Sequence, residues 1–243
     1  MKRGQSPWND AADIIPHEIK LVFDVGANTG QTAKQLSARF PEADIYCFEP
    51  VMPTFHDLQA ETASLERVKH FPFGFSDKES SQSIFLQLES GWNSVSKNKD
   101  AGLGTTEVRL ETIDGFCAAN NVQHVDIMKT DTEGHDLSVL RGAYGMLSQG
   151  RIAAIYAEVG FYREDTGHAV FCDVLEFLQG VGFQFFGLYE QDSIVFVEHP
   201  VQPRFPWTNA LFLQNELVRA KYGDEYVRWL AGLVPSQRGP VPK

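Results

Sequence analysis

Only three cysteines, Cys47, Cys117 and Cys172, occur in 243 residues. They are far apart and odd in number. That excludes a disulfide framework or a local zinc site built on them, and it fits a reducing cytoplasm, the expected location. Each is expected to pack as a small apolar residue. Positive charge is scarce too: 21 Lys and Arg stand against 32 Asp and Glu, for a net charge of -11. This argues against a general nucleic-acid binder held by phosphate contacts. No apolar run approaches membrane-spanning length, and the N-terminus lacks a signal-peptide core. Internal repeats and low-complexity segments are absent as well. The apolar residues and length that are present suffice for one α/β domain with a full core. Residues 1–10 and 237–243 read as polar, mobile tails.

Strand and helix patterns alternate along the chain. Buried strands are expected over residues 21–25, 44–48, 68–75, 125–129, 152–157 and 183–188, with further strands at 193–197 and 209–213. Residues 83–88 and 107–110 read as antiparallel pieces. Helical spacing appears over 31–40, stopped by Pro41, and at Met52, Phe55, Leu58 and Leu65. Thr112 is placed to cap a short helix through Ala119. A helix over 136–147 has Gly150 beyond its end, and another runs from Val170 to about Leu178. The tail over 216–233 reads as one or two helices broken near Gly223-Asp224. Repeated βα units imply a mostly parallel sheet with helices on both faces.

The most informative stretch is Asp24-Val25-Gly26-Ala27-Asn28-Thr29-Gly30, followed by a second strand and Glu49-Pro50. Strand, glycine turn, helix, strand and acid are the parts of an adenosine-cofactor site. The glycines let the backbone lie against a ligand, and Glu49 falls where a ribose is held. The dinucleotide fingerprint needs glycine where Asn28 and Gln31 stand. No Lys-Ser/Thr pair follows Gly30, so the phosphate-cradling loop is absent too. An acid at Asp24 repels a pyrophosphate but suits a cation. S-adenosylmethionine (SAM), with its sulfonium and ammonium, is the expected cofactor.

Past the fourth core strand stands Lys129-Thr130-Asp131-Thr132-Glu133-Gly134-His135-Asp136, and past the fifth Glu158-Val159. Ligands bind at the carboxyl ends of such strands, so Asp131, Glu133, His135 and Glu158 are expected to converge on one crevice. Asp131 and Glu133 point the same way if the chain is extended there. Trp92-Asn93-Ser94 reads either as a loop over the acceptor or as a hydrophobic plug. Phe212, Tyr222, Tyr226 and Trp229 read as packing or a homo-oligomer contact.

Together these blocks, with Val139-Leu140-Arg141-Gly142-Ala143, resemble in order the FkbM family of SAM-dependent methyltransferases. The resemblance covers residues 21 to about 161 and fades toward 213. It implies a class I methyltransferase, Rossmann-like α/β fold with a seven-stranded, mostly parallel sheet carrying one antiparallel edge. It implies residues 21–215 as the methyltransferase domain, between an extension over 1–20 and a helical tail over 216–243. It also implies O-methylation of a small-molecule or saccharide hydroxyl, such as a sugar or polyketide. Asp24, Gly26, Asn28 and Gly30 then form the SAM loop. Glu49 holds the ribose, Ser76-Asp77 contacts the adenine, and Asp131 lies near the methyl-donor end. Thr130 and Thr132 replace the family's usual aliphatic residues.

A hydroxyl is a weak nucleophile at neutral pH, so a general base helps. His135 is the natural candidate by intrinsic pKa, with Glu133 or Glu158 to orient or replace it and Asp131 next. Hard carboxylates here also suit magnesium or manganese. The metal-free reading is preferred, because carboxylates beside a sulfonium already have a reason to exist. Two rivals stay open: a nicotinamide-dependent oxidoreductase and a non-catalytic SAM-binding module.

Overall fold

The computed structural model describes residues 4–86, 104–164, 166–190 and 207–230. The Trp92-Asn93-Ser94 loop and the strand expected at 193–197 lie outside them, as do the side chains of Tyr226 and Trp229.

Helix α1 (Pro7–Ile14) starts where Ser6 accepts a hydrogen bond from the Asn9 amide and proline fills the first turn. It buries Trp8, Asp10, Ala11 and Ile14, so residues 7–10 are core rather than tail. Then follow β1 (Leu21–Val25), α2 (Gln31–Arg39), β2 (Asp44–Phe48), α3 (Met52–Glu61) and β3 (Val68–Phe71). The strand expected over 68–75 ends early. Past Pro72, which has no N–H for a ladder, β4 (Gly74–Phe75) joins a different sheet. That small sheet pairs β4 with β6 (Gly104–Glu111), and β6 antiparallel with β5 (Ser80–Leu86).

Thr112 caps α4 (Ile113–Ala119) as expected, its hydroxyl accepting from Gly115 N at 3.0 Å. Next come β7 (Val125–Thr130), α5 (Asp136–Arg141), α6 (Tyr144–Ser148) and β8 (Ile152–Gly160). The single helix expected over 136–147 is thus two. Gly142 lies at the break, where a Cβ would come within 2.0 Å of the Ser76 carbonyl oxygen. The described chain ends with α7 (Phe171–Gly180), β9 (Phe183–Tyr189), β10 (Trp207–Gln214) and α8 (Asn215–Leu230). Helix α8 is kinked at Gly223, as expected.

The main sheet has the order β3-β2-β1-β7-β8-β10-β9. Strand β10 runs antiparallel to both β8 and β9. The expected antiparallel edge is therefore corrected: the antiparallel strand is the penultimate one, and β9 is the edge. The chain returning from β9 fills the gap that the α7 crossover leaves beside β8. Two cores flank the sheet. On one face Phe23, Phe48 and Phe116 meet α4 to α7. On the other, Val22, Ile127 and Tyr156 meet α1, α2, α3 and α8. Strand alternation puts Asp24, Lys129 and Glu158 on the second face, two residues beyond these apolar positions. Cys47 and Cys117 are buried, whereas Cys172 is exposed and so departs from the expected packing role.

Candidate active site

Strand β1 runs into a turn where Gly26 (φ 77°), Asn28 (φ 47°) and Gly30 (φ 87°) are left-handed. Glycine takes such angles without strain, and asparagine tolerates them better than most residues. A Cβ on Gly26 would lie 1.9 Å from the Asp131 carbonyl oxygen, and one on Gly30 would lie 2.6 Å from Thr62 Cγ2. Protein fills the space beside these glycines. Gly26 lets the turn seat on the end of β7, and Gly30 lets it pass the end of α3. Gly26 N and Ala27 N both donate to Phe48 O, tying the turn to β2. One residue on, Glu49 is buried and accepts from Asn28 N at 3.1 Å and Val51 N at 2.9 Å. Burial pushes its carboxyl up to about 7, against the pull of the two amides.

Parallel pairing sets Asp24 opposite Lys129. The Lys129 ammonium is 3.4 Å from Asp24 Oδ1 and 3.1 Å from Asp131 Oδ2, and it donates to Gly26 O at 3.4 Å. Asp24 is wholly buried. Apart from this ammonium, neither of its oxygens has a hydrogen-bond partner among the described residues. Burial raises the Asp24 pKa and Lys129 opposes it. Burial also works against the charged lysine, but Asp131 and Asp24 outweigh it and the net shift is upward. Lys129 thus ties the glycine loop to both carboxylates, a role the sequence reading missed. The signal was there: a lysine inside a strand whose six residues are all buried needs an anionic partner.

Past β7 the chain turns sharply, with Glu133 (φ 52°) and Gly134 (φ 89°) left-handed. The extended run that would have aligned Asp131 with Glu133 does not form. A Cβ on Gly134 would come within 2.7 Å of the Thr166 carbonyl, so this turn packs under the segment that follows β8. Asp136 is fully buried at the head of α5 and accepts from Thr132 N at 3.4 Å. Burial and then Asp131 push its carboxyl up to about 6.

His135 faces elsewhere. Its Nε2 is 2.9 Å from Ser76 Oγ, and Ser76 Oγ donates to Asp77 Oδ1 at 3.2 Å. Burial lowers the imidazole pKa and Asp77 opposes this. The residue expected as base and the pair expected at the adenine are therefore one hydrogen-bonded group. Glu158 lies opposite Asn209 of β10 and is buried. Its Oε2 has no hydrogen-bond partner among the described residues and lies 3.8 Å from His168 Nε2. Burial first, then Asp131, Asp136 and Glu133, push the Glu158 carboxyl up to about 10.

Asp131, Glu133 and Glu158 thus share one field with Asp136 and Lys129, while His135 stands with Ser76 and Asp77. Sequence reasoning also missed His168, which stacks on Trp207 at 5.8 Å and 15°. It missed Asn209 too, whose amide donates to Glu190 Oε2 at 2.7 Å. Trp207 and Asn209 share one face of β10. His168 follows β8 in an irregular stretch where no periodicity marks it.

Among the described residues, carboxylates outnumber the single buried ammonium in this crevice. Such a field suits a cationic sulfonium and opposes a pyrophosphate. Glu49, fixed by two amides at the tip of β2, has the acceptor chemistry that a ribose diol needs. The sequence matches the methyltransferase FkbM domain over residues 24–185. It is 22% identical over 153 residues to the 2-O-methyltransferase NoeI of Sinorhizobium fredii, covering 57% of this chain and 62% of the relative. The alignment therefore spans less than two thirds of that relative.

Solved structures are similar at greater distance. An rRNA methylase of Streptococcus thermophilus is 12% identical with a TM-score of 0.48, over 88% of this chain and 98% of its own. Fibrillarin of Aeropyrum pernix, solved with S-adenosyl-L-methionine, is 12% identical with a TM-score of 0.45, over 81% and 67%. The family match decides for a methyltransferase over an oxidoreductase. With its sheet order, its glycine turn and the acid closing β2, the chain belongs to the FkbM family of SAM-dependent methyltransferases.

Proposed function

We propose that this protein is an O-methyltransferase that methylates a hydroxyl of a small-molecule or saccharide acceptor. The observation that carries the reading is Glu158. Its buried carboxyl oxygen lacks a hydrogen-bond partner among the described residues, at the carboxyl end of β8. A cationic sulfonium held beside it would lower the carboxyl's high proton affinity, and the carboxylate so ionised can take a proton from a hydroxyl. The relative's name, a 2-O-methyltransferase, supports oxygen as the target. The stacked pair His168 and Trp207 offers an aromatic face of the kind sugars stack on.

SAM, when bound, supplies the electrophilic methyl. The chain's residues do the rest. Glu49 accepts hydrogen bonds from the ribose, and Ser76 and Asp77 contact the adenine. The turn from Gly26 to Gly30, anchored by Asp24 and Lys129, carries the cofactor. Asp131 lies toward the methyl-donor end. Glu158 receives the acceptor's proton as the carbon–oxygen bond forms. Glu133 adds to the negative field around it. His135, engaged with Ser76, positions the adenine side rather than acting as base. The mechanism is metal-free, because carboxylates beside a sulfonium already have a reason to exist.

The test is a panel of hydroxylated sugars and polyketides incubated with SAM and read by mass spectrometry. Glu158→Gln should lower kcat by about 10²–10⁴ while leaving SAM affinity intact. His135→Ala should affect SAM affinity more than kcat. Methyl found only on nitrogen or carbon acceptors, or full turnover by Glu158→Gln, sinks the proposal.

A further inference from the structure

A second cluster lies at the far end of the same two strands. Asp126, the second residue of β7, is buried, 2% exposed. Its Oδ2 accepts from Lys20 N at 2.6 Å and Leu21 N at 2.9 Å, where the chain enters β1. Its Oδ1 faces two imidazoles: His17 Nε2 at 2.7 Å and His124 Nε2 at 3.2 Å. The three donor atoms lie within 4.8 Å of one another. His124 Nε2 is shielded from solvent, yet it makes no hydrogen bond among the described residues.

From this convergence we infer that His17, His124 and Asp126 form a binding site for a divalent cation of the zinc class. Two imidazoles and one carboxylate are a donor set that zinc takes, with a fourth position left for water. Donors in a tetrahedral zinc site lie roughly 3.3 Å apart, given bonds of about 2.0–2.1 Å. The His124–Asp126 distance of 3.2 Å matches that spacing, and the His17–Asp126 distance of 2.7 Å needs to open by about 0.6 Å to admit the ion. The support around the donors is also that of a metal site. The two backbone amides hold the carboxylate by its other oxygen, as outer partners orient ligands. Arg151 clamps the loop before His124, with Nε on Gln123 O at 2.6 Å and a guanidinium nitrogen on Val122 O at 2.8 Å.

Magnesium and calcium are disfavoured by the imidazoles, since they take oxygen ligands. The site is remote from methyl transfer. Five residues of β1 separate its ends, about 16 Å at the rise of a strand. Its effect is to bind the segment before β1 to β7, the two strands that carry Asp24 and Lys129 at their other ends.

The experiment uses the full chain, stripped with EDTA, desalted and titrated with zinc chloride by calorimetry. Metal content after dialysis is the second readout. The expected result is a single zinc per chain and a rise in melting temperature with zinc but not with magnesium. The His17→Ala/His124→Ala double variant should bind at least about a hundredfold more weakly. Asp126 is left intact because its amide contacts hold β1. His124→Gln, which keeps a polar side chain beside Asp126, should weaken binding as well and guards against a folding defect in the double variant. No zinc uptake by the full chain, or equal uptake by both variants, overturns the inference.

Discussion

At Glu49 burial and hydrogen bonding act in opposite directions, and the net result sets a pH dependence. Its pKa stands at about 7 in the folded chain against an ordinary 4.5. Below 4.5 both folded and unfolded chains hold the proton. As pH rises toward 7 the unfolded chain releases it first, so this group's contribution to ligand-free stability is lost across that window. Ribose hydroxyls need an ionised acceptor, so cofactor affinity should move the other way and strengthen as pH rises through about 7. Calorimetry with S-adenosylhomocysteine at several pH values reads this directly. Glu49→Gln should flatten the profile and weaken binding by roughly tenfold or more; an unchanged profile would remove Glu49 from the ribose role. Lys129 presents the complementary case. Lys129→Met leaves Asp24 buried without its cation, which should cost roughly 3–5 kcal/mol in urea denaturation. Adding Asp24→Leu to that variant should recover most of the loss, because the uncompensated charge is then gone. Equal instability in single and double variants would mean that lysine packing, not charge, was the cause.

The elements show what the sequence discloses and what it hides. Thr112 before its helix, Gly223 in α8 and the alternation of strands with helices were legible because each acts through its neighbours. The break between α5 and α6 was not. Its cause is Ser76, 66 residues away in sequence, whose carbonyl oxygen would sit 2.0 Å from a Cβ on Gly142. The partners of Lys129 were hidden for the same reason, since Asp24 meets it only once β7 pairs with β1. The helix α1 was overlooked although Ser6 and Pro7 are a start signal, because the polar residues around them read as tail. Glycine positions test this reading of contacts made at a distance. Gly26→Ala drives a methyl into Asp131 O at a positive φ, so it should destabilise by at least about 1–2 kcal/mol and weaken cofactor binding together. Gly142→Ala has an ordinary helical φ of -69° and meets only the Ser76 carbonyl, so it should destabilise through that clash. A Gly26→Ala chain with normal melting and normal affinity would show that the turn has room to shift.

At the scale of the whole molecule the N-terminal helix is part of the sheet's second core. Trp8 packs edge-on against Tyr156 of β8 at 4.8 Å, and the Tyr189 hydroxyl of β9 donates to buried Asp10 at 2.8 Å. Lys221 of α8 reaches back to Asp13 O at 2.7 Å. The first helix and the last described one therefore close over the half of the sheet formed by β8, β10 and β9. Strand β8 also carries Glu158, two residues past Tyr156 on the same face. A division of the chain at residue 21 would cut through this core, although the family match begins at Asp24. Trp8→Ala should cost about 3 kcal/mol, by analogy with other buried aromatics. In a chain of this size that is a fall of roughly 6–12 °C in melting temperature. Cofactor affinity should stay unchanged, because the contact lies below the crevice and not in it. A chain starting at residue 21 should lose considerably more, since it also leaves Tyr156 and Tyr189 uncovered. If that shortened chain melted at the full chain's temperature, α1 would be an appendage and the sheet would fold without it.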